Sequence, residues 1–219
     1  MSSRAPQVIA MDGPAASGKS SVAREVAAKL GWIYVNTGNM YRAATWAVVE
    51  SGTNPEDEAA VLAVVQGTDF QCTVEGGRSV IRVNGADVES QLNSESVNRG
   101  VSYVAKIPQV REILVAMQRD VGHTHRSVME GRDIGTVVFP DALVKFYIDA
   151  SEEVRAKRRG LQGHADSVRE RDRIDSTRKT APLTAAADAV VVDSSEMTLE
   201  QVVARILELL RERGVTAAA

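Results

Sequence analysis

The chain holds a single cysteine, Cys72, so an intrachain disulfide is impossible and a reducing compartment is the default expectation. Cys72 sits in a strand-like run and reads as a packing residue. No apolar run approaches the ~18 residues of a membrane span. Ser2 to Gln7 carry no apolar signal-peptide region, so a cytoplasmic protein with no membrane partner is expected. Histidine is scarce: His123, His125 and His164 lack metal-ligand spacing with cysteine or aspartate and read as surface residues. An excess of positive charge is missing too, and a net charge of −3 argues against a nucleic acid polymer as the main partner. There is no internal repeat, and no guanine-reading Asn-Lys-x-Asp run, which counts against a GTPase-type switch. What remains is an ordinary globular composition, 44% hydrophobic and 25% charged over 219 residues, enough for one domain with its own core.

The strongest signal is Gly13-Pro14-Ala15-Ala16-Ser17-Gly18-Lys19-Ser20, which fits the phosphate-loop pattern G-x-x-x-x-G-K-[ST] at every fixed position. Its flanks fit as well. Val8 to Met11 reads as a buried strand, and from Ser21 the apolar residues Val22, Val26 and Leu30 recur at helical spacing before Gly31. The glycines let successive N–H groups turn inward, and the helix starting at Lys19 adds the positive end of its dipole. Lys19 then reaches the β- and γ-phosphates, and the Ser20 hydroxyl is placed to ligate Mg²⁺. The loop implies binding of a nucleoside triphosphate through residues 13–21, Ser21 included, and is silent on what receives the phosphate.

Strand and helix patterns alternate along the rest of the chain. Strands are expected at 32–35, 127–130, 144–149 and 189–193, helices at 40–51, 56–66, 94–105, from Pro108 and from Thr198 to about Arg213. Residues 36–39 read as a turn. Between 68 and 90 the texture changes to short strands separated by Glu75-Gly76-Gly77 and Asn84-Gly85, an antiparallel insertion. The expected fold is α/β, a three-layer sandwich around a five-stranded parallel sheet, in one domain: core 1–67, 91–150 and 181–219, insertion 68–90, and a segment 151–180 of its own character. Ligands should bind at the carboxyl ends of the strands.

That last segment is rich in charge: nine of the 26 lysines and arginines fall within 152–179, with six acids interleaved. A solvated helix face laced with i,i+4 pairs accounts for many of them. A lid whose arginines close over transferring phosphates accounts for them too, with Arg158 and Arg159 after a strand-then-helix pattern and Gly160 and Gly163 as hinges. Other pairs stand just past predicted strands or on a helix: Thr37 with Arg42, Arg132 with Asp133, Ser102 with Arg111. Singly, each is an ordinary surface or capping group. Together they offer forked guanidiniums for a second phosphate, and donors and acceptors for a base edge.

With these residues in view, the chain resembles the bacterial cytidylate kinases. The matching stretches are 9–20, Asn36-Thr37-Gly38-Asn39-Met40-Tyr41-Arg42, the run from Glu130-Gly131-Arg132-Asp133 to Asp141, Arg171-Asp172 through Asp175 to Arg178, and Ala181-Pro182-Leu183 with 186–189. The insertion at 68–90 is expected of that family, so the likeness spans nearly the whole chain. It implies ATP-dependent phosphorylation of CMP and dCMP with Mg²⁺ by a monomer. Carried over by position, Thr37, Arg42 and Arg132 hold the acceptor phosphate; Ser102, Arg111 and Asp133 read the cytosine edge; Arg171, Asp175 and Arg178 contact ribose, base or phosphate from the lid side. Lys19, Arg132, Arg158 and Arg159 are the expected catalytic groups. One departure stands out: the segment from Gly160 to Val168 is shorter than is usual in the family. Two other readings are a kinase of the same architecture with a different acceptor, and an ATP-binding protein without transfer.

Overall fold

In the computed structural model the described residues are 7–161, 168–178 and 180–217, with the Arg171 side chain outside them. In chain order they form β1 (Val8–Asp12), α1 (Lys19–Leu30), β2 (Ile33–Asn36), α2 (Thr37–Glu50), α3 (Glu58–Gln66), β3 (Phe70–Glu75), β4 (Arg78–Val83), β5 (Ala86–Asp87), α4 (Glu95–Ala105), α5 (Pro108–Thr124), β6 (Ser127–Gly131), β7 (Val144–Asp149), α6 (Glu152–Leu161), α7 (Val168–Ser176), β8 (Val190–Asp193) and α8 (Leu199–Glu212).

The order across the sheet is β3-β4-β2-β6-β1-β7-β8. The five strands β2-β6-β1-β7-β8 run parallel, with β1 at the centre, as the alternation of strands and helices requires. Both faces are covered, and the period-2 geometry of β1 divides the core in two. Val8 and Ala10 pack with α2, α3, α4 and α5 on one face. Ile9 and Met11 pack with α1 and α8 on the other. The antiparallel strands of 68–90 continue this sheet: β4 lies against β2 in parallel at Tyr34 and Arg78, and β3 and β5 flank β4. Among the described residues no helix is long and apolar enough to cross a membrane.

One local difference from the sequence pattern, at 36–39, and one strand-end contact, at Asp149, matter for the site. Residues 36–39, read as a turn, are the start of α2: the Asn36 side chain accepts the Asn39 N–H at 3.1 Å and caps the helix. Asp149, at the end of β7, accepts the Ala150 N–H at 2.8 Å and so serves the entry to α6.

Candidate active site

The phosphate loop leaves the carboxyl end of β1 at the centre of the sheet. Gly13 has φ +155°, and a Cβ there would stand 2.1 Å from the Ile148 carbonyl oxygen, so glycine is the residue that lets the loop pass β7. Gly18 (φ 90°) precedes α1. Lys19 is buried, and its Nζ donates to the Pro14 carbonyl at 2.9 Å, folded across the loop it belongs to. The Ser20 hydroxyl donates to Glu130 Oε2 at 2.8 Å, and Glu130 Oε1 accepts from the Tyr34 hydroxyl at 2.7 Å. Hydroxyl and carboxylate oxygens of this kind suit Mg²⁺. No cluster of three or more metal-ligating His, Cys, Asp or Glu occurs among the described residues.

From Lys19 and Ser20 a cleft of about 860 Å³ runs along the strand ends to Ser102, Arg111 and Asp133. Among the described residues lining it, eight carry positive charge (Lys19, Arg24, Arg42, Arg78, Arg111, Arg132, Arg159, Arg178) and four negative (Glu89, Glu130, Asp133, Asp175). The excess of cations suits a ligand bearing several phosphates. Thr37 donates its buried hydroxyl to the Glu130 carbonyl at 2.7 Å. Arg42 donates to Asn98 Oδ1 at 2.7 Å and to the Leu92 carbonyl at 3.2 Å. Arg111 is paired with Asp133, both almost wholly buried, and lies over the Tyr41 ring at 5.4 Å. Burial pushes the Asp133 carboxyl up, while Arg111, Arg178 and Arg132 work to hold it ionised. Asp175 stands between two arginines: Arg132 Nε donates to one oxygen at 2.9 Å and Arg178 pairs with the other. Burial lowers the Arg178 pKa. For Arg132 burial acts the same way, and Asp175, with Glu130 and Asp172, more than offsets it.

Helix α6 sends in different directions the two arginines that the sequence could not tell apart. Arg159 is buried, lines the cleft, and approaches Asn98 Oδ1 at 3.4 Å. Arg158 is not among the cleft-lining residues. It donates to the Ser17 carbonyl at 3.2 Å, the Ser194 hydroxyl at 3.0 Å and the Ser194 carbonyl at 2.7 Å, fastening the phosphate loop to the end of β8. Adjacent helical residues point ~100° apart, and here the two arginines take different partners. In this structure Arg158 therefore holds the main chain of the phosphate loop, beside Gly18. Asp172 of α7 accepts the Ala15 N–H at 3.1 Å and pairs with Arg155. Gly160 lies inside α6, while Gly163, His164 and the side chain of Arg171 fall outside the described residues.

A family model for cytidylate kinase matches residues 9–212. The chain belongs to the cytidylate kinase family. It is 43% identical over 231 aligned positions to the cytidylate kinase of Nocardia farcinica, with all of both chains covered. It is 44% identical to the cytidylate kinase of Geobacillus thermodenitrificans, covering 94% of this chain and 96% of that one. The cytidylate kinase of Mycobacterium avium is also 44% identical, with 96% and 97% covered.

Several groups in or around this cytidylate-kinase cleft carried no role in the sequence reading. Glu130 bonds Ser20, Asn98 joins Arg42 to Arg159, Tyr41 underlies Arg111, and Asp172 holds the Ala15 amide. Glu130 had a legible signal: a carboxylate at the carboxyl end of an apolar strand, where ligands of open α/β sheets bind. The others depend on contacts made only by the folded chain.

Proposed function

We propose that this chain transfers the γ-phosphoryl group of ATP to CMP or dCMP, giving ADP and CDP or dCDP. The observation that carries the acceptor's identity is the buried Arg111–Asp133 pair, which lines the same cleft as Ser102 and Lys19. Cytosine offers an exocyclic amino donor beside N3 and O2 acceptors. Asp133 and Ser102 accept from the amino group while Arg111 donates to the acceptors. Uracil carries a carbonyl where cytosine carries the amino group, so it leaves the Asp133 acceptor unmatched and is rejected.

The acceptor is already a phosphate oxyanion, so no general base is needed, and catalysis is positioning and charge neutralisation. Thr37, Arg42 and Arg132 hold the acceptor phosphate, with Arg178, Arg171 and Asp175 closing from the lid side. Main-chain N–H groups of the phosphate loop, Pro14 having none and Ala15 being held by Asp172, cradle the ATP phosphates, and Lys19 leaves the Pro14 carbonyl for the β- and γ-oxygens. Arg159 supplies charge where the phosphoryl group moves, and the lid excludes water that would otherwise hydrolyse ATP. Ser20 and Glu130 would hold Mg²⁺, partly through water; when bound, it neutralises charge on the ATP phosphates. One copy of the chain carries all these residues, which supports a monomer, working in the cytoplasm. A coupled ADP-release assay over a panel of nucleoside monophosphates is the test. CMP and dCMP should be consumed and UMP used poorly; equal use of UMP, or no ADP formed with CMP, overturns the reading.

A further inference from the structure

The steps above leave one buried carboxylate beside the phosphate loop without a part. Asp12 is the last residue of β1, 4% exposed, and does not line the cleft. Its Oδ1 accepts the Ile134 N–H at 2.8 Å and its Oδ2 accepts the Gly135 N–H at 2.7 Å. These two amides open the single π-helical turn Ile134–Val138, where main-chain donors have no partner within the turn itself. The two residues just before that turn are Arg132 and Asp133. Asp12 is also aligned with Gly131 across the β1–β6 ladder, so the carboxylate spans from the start of the phosphate loop to the start of the acceptor loop.

The turn has little room to settle elsewhere. A Cβ on Gly135 would stand 3.1 Å from the Lys145 side chain and 3.4 Å from Asp12 Oδ2. A Cβ on Gly131 would meet the Ile134 side chain at 2.7 Å and the Thr37 hydroxyl at 2.8 Å. The far end of the turn is held by Arg119, which donates to the Val138 carbonyl at 3.0 Å and the Val137 carbonyl at 2.9 Å. Arg119 lies on α5, the helix that also presents Arg111 to Asp133.

We propose that Asp12 is a positioning residue that fixes Arg132 and Asp133, and so the acceptor's phosphate and base, in register with the phosphate loop that holds the donor. Only an acceptor of two N–H groups does this. A carboxylate offers both oxygens, whereas the isosteric carboxamide keeps one and turns an N–H toward the second amide, driving the turn away. The inference rests on the acceptor reading given above, but its test compares variants with the parent enzyme, so the two fail separately: a parent that makes no CDP sinks the reading, not the geometry.

The test is Asp12→Asn and, independently, Arg119→Ala at the exposed end of the same turn. Steady-state kinetics with CMP, UMP and ATP each varied are run at pH 8 beside circular dichroism and thermal melting. For Asp12→Asn we expect the CMP KM to rise about tenfold or more and the CMP-to-UMP ratio of kcat/KM to fall about tenfold. The ATP KM should stay within about twofold. Arg119→Ala should move the same parameters the same way, by about threefold. A folded Asp12→Asn protein with a lower melting temperature but unchanged CMP KM and CMP-to-UMP ratio would make Asp12 purely structural and overturn the proposal. An ATP KM raised as much as the CMP KM overturns it too. If Asp12→Asn does not fold, Arg119→Ala decides alone, and an unchanged CMP KM in that variant refutes the proposal.

Discussion

Replacing Asp133 by alanine removes one carboxylate from a site where three guanidiniums, Arg111, Arg132 and Arg178, act on it together. Asp175 then remains bonded to two of the three, and Arg111 keeps the Ala105 carbonyl but loses its carboxylate partner in a position only 5% exposed. Two effects follow, with different magnitudes. A charge-assisted hydrogen bond from the cytosine amino group to Asp133 contributes about 1.5–3 kcal/mol, so its loss lowers the CMP-to-UMP ratio of kcat/KM by about 10- to 150-fold. Breaking a fully buried ion pair costs about 3–5 kcal/mol, a ceiling here because the cleft is open to water beside the pair. The Asp133→Ala protein should therefore melt lower. It should regain part of that loss in phosphate or sulfate, because an anion replaces the missing charge among the arginines. The assay is ADP release with CMP and UMP, beside thermal melting with and without phosphate. A folded variant that keeps its CMP preference would refute the base-reading role; one whose melting temperature ignores phosphate would refute the account of the arginine cluster.

Lys19→Ala should lower kcat by about 100- to 1000-fold or more with the fold intact by circular dichroism, and near-normal turnover would remove Lys19 from the transfer step. Arg158→Ala should raise the ATP KM several-fold and leave the CMP KM unchanged, because it frees the Ser17 carbonyl and Ser194 rather than a cleft group; a large drop in kcat with both KM values intact would return Arg158 to the chemistry. Burial pushes the Asp12 carboxyl from an ordinary 3.8 up to about 7, against the two N–H donors. Its contribution to stability is then complete in acid below about 3.8 and is lost as pH rises to about 7, by up to ~1.4 kcal/mol per pH unit. Urea denaturation from pH 5 to 8 should show the parent losing stability relative to Asp12→Asn as pH rises, because the ionised form that accepts both amides is held against burial, and a relative gain would contradict the assignment.

What could be read from the chain alone was local. The phosphate loop is eight adjacent residues whose identities dictate their own backbone path, and the strands and helices around it follow from short-range periodicity, so the five-stranded parallel core and the helices on its two faces were legible in advance. Thr37, Arg42, Ser102, Arg111, Arg132, Asp133, Asp175 and Arg178 were named from residue pairs and from the family resemblance, and the cleft gathers all eight. Neither signal says how they are joined. That Asp175 sits between Arg132 and Arg178, that Asn98 ties Arg42 toward Arg159, and that Asp12 spans to Ile134 and Gly135 are contacts between residues far apart in sequence, decided only when β1, β6 and the lid helices come together. The same holds for Arg158 and Arg159: neighbours of one type in sequence, sent by a helical turn to opposite duties, one on the loop's main chain and one in the cleft.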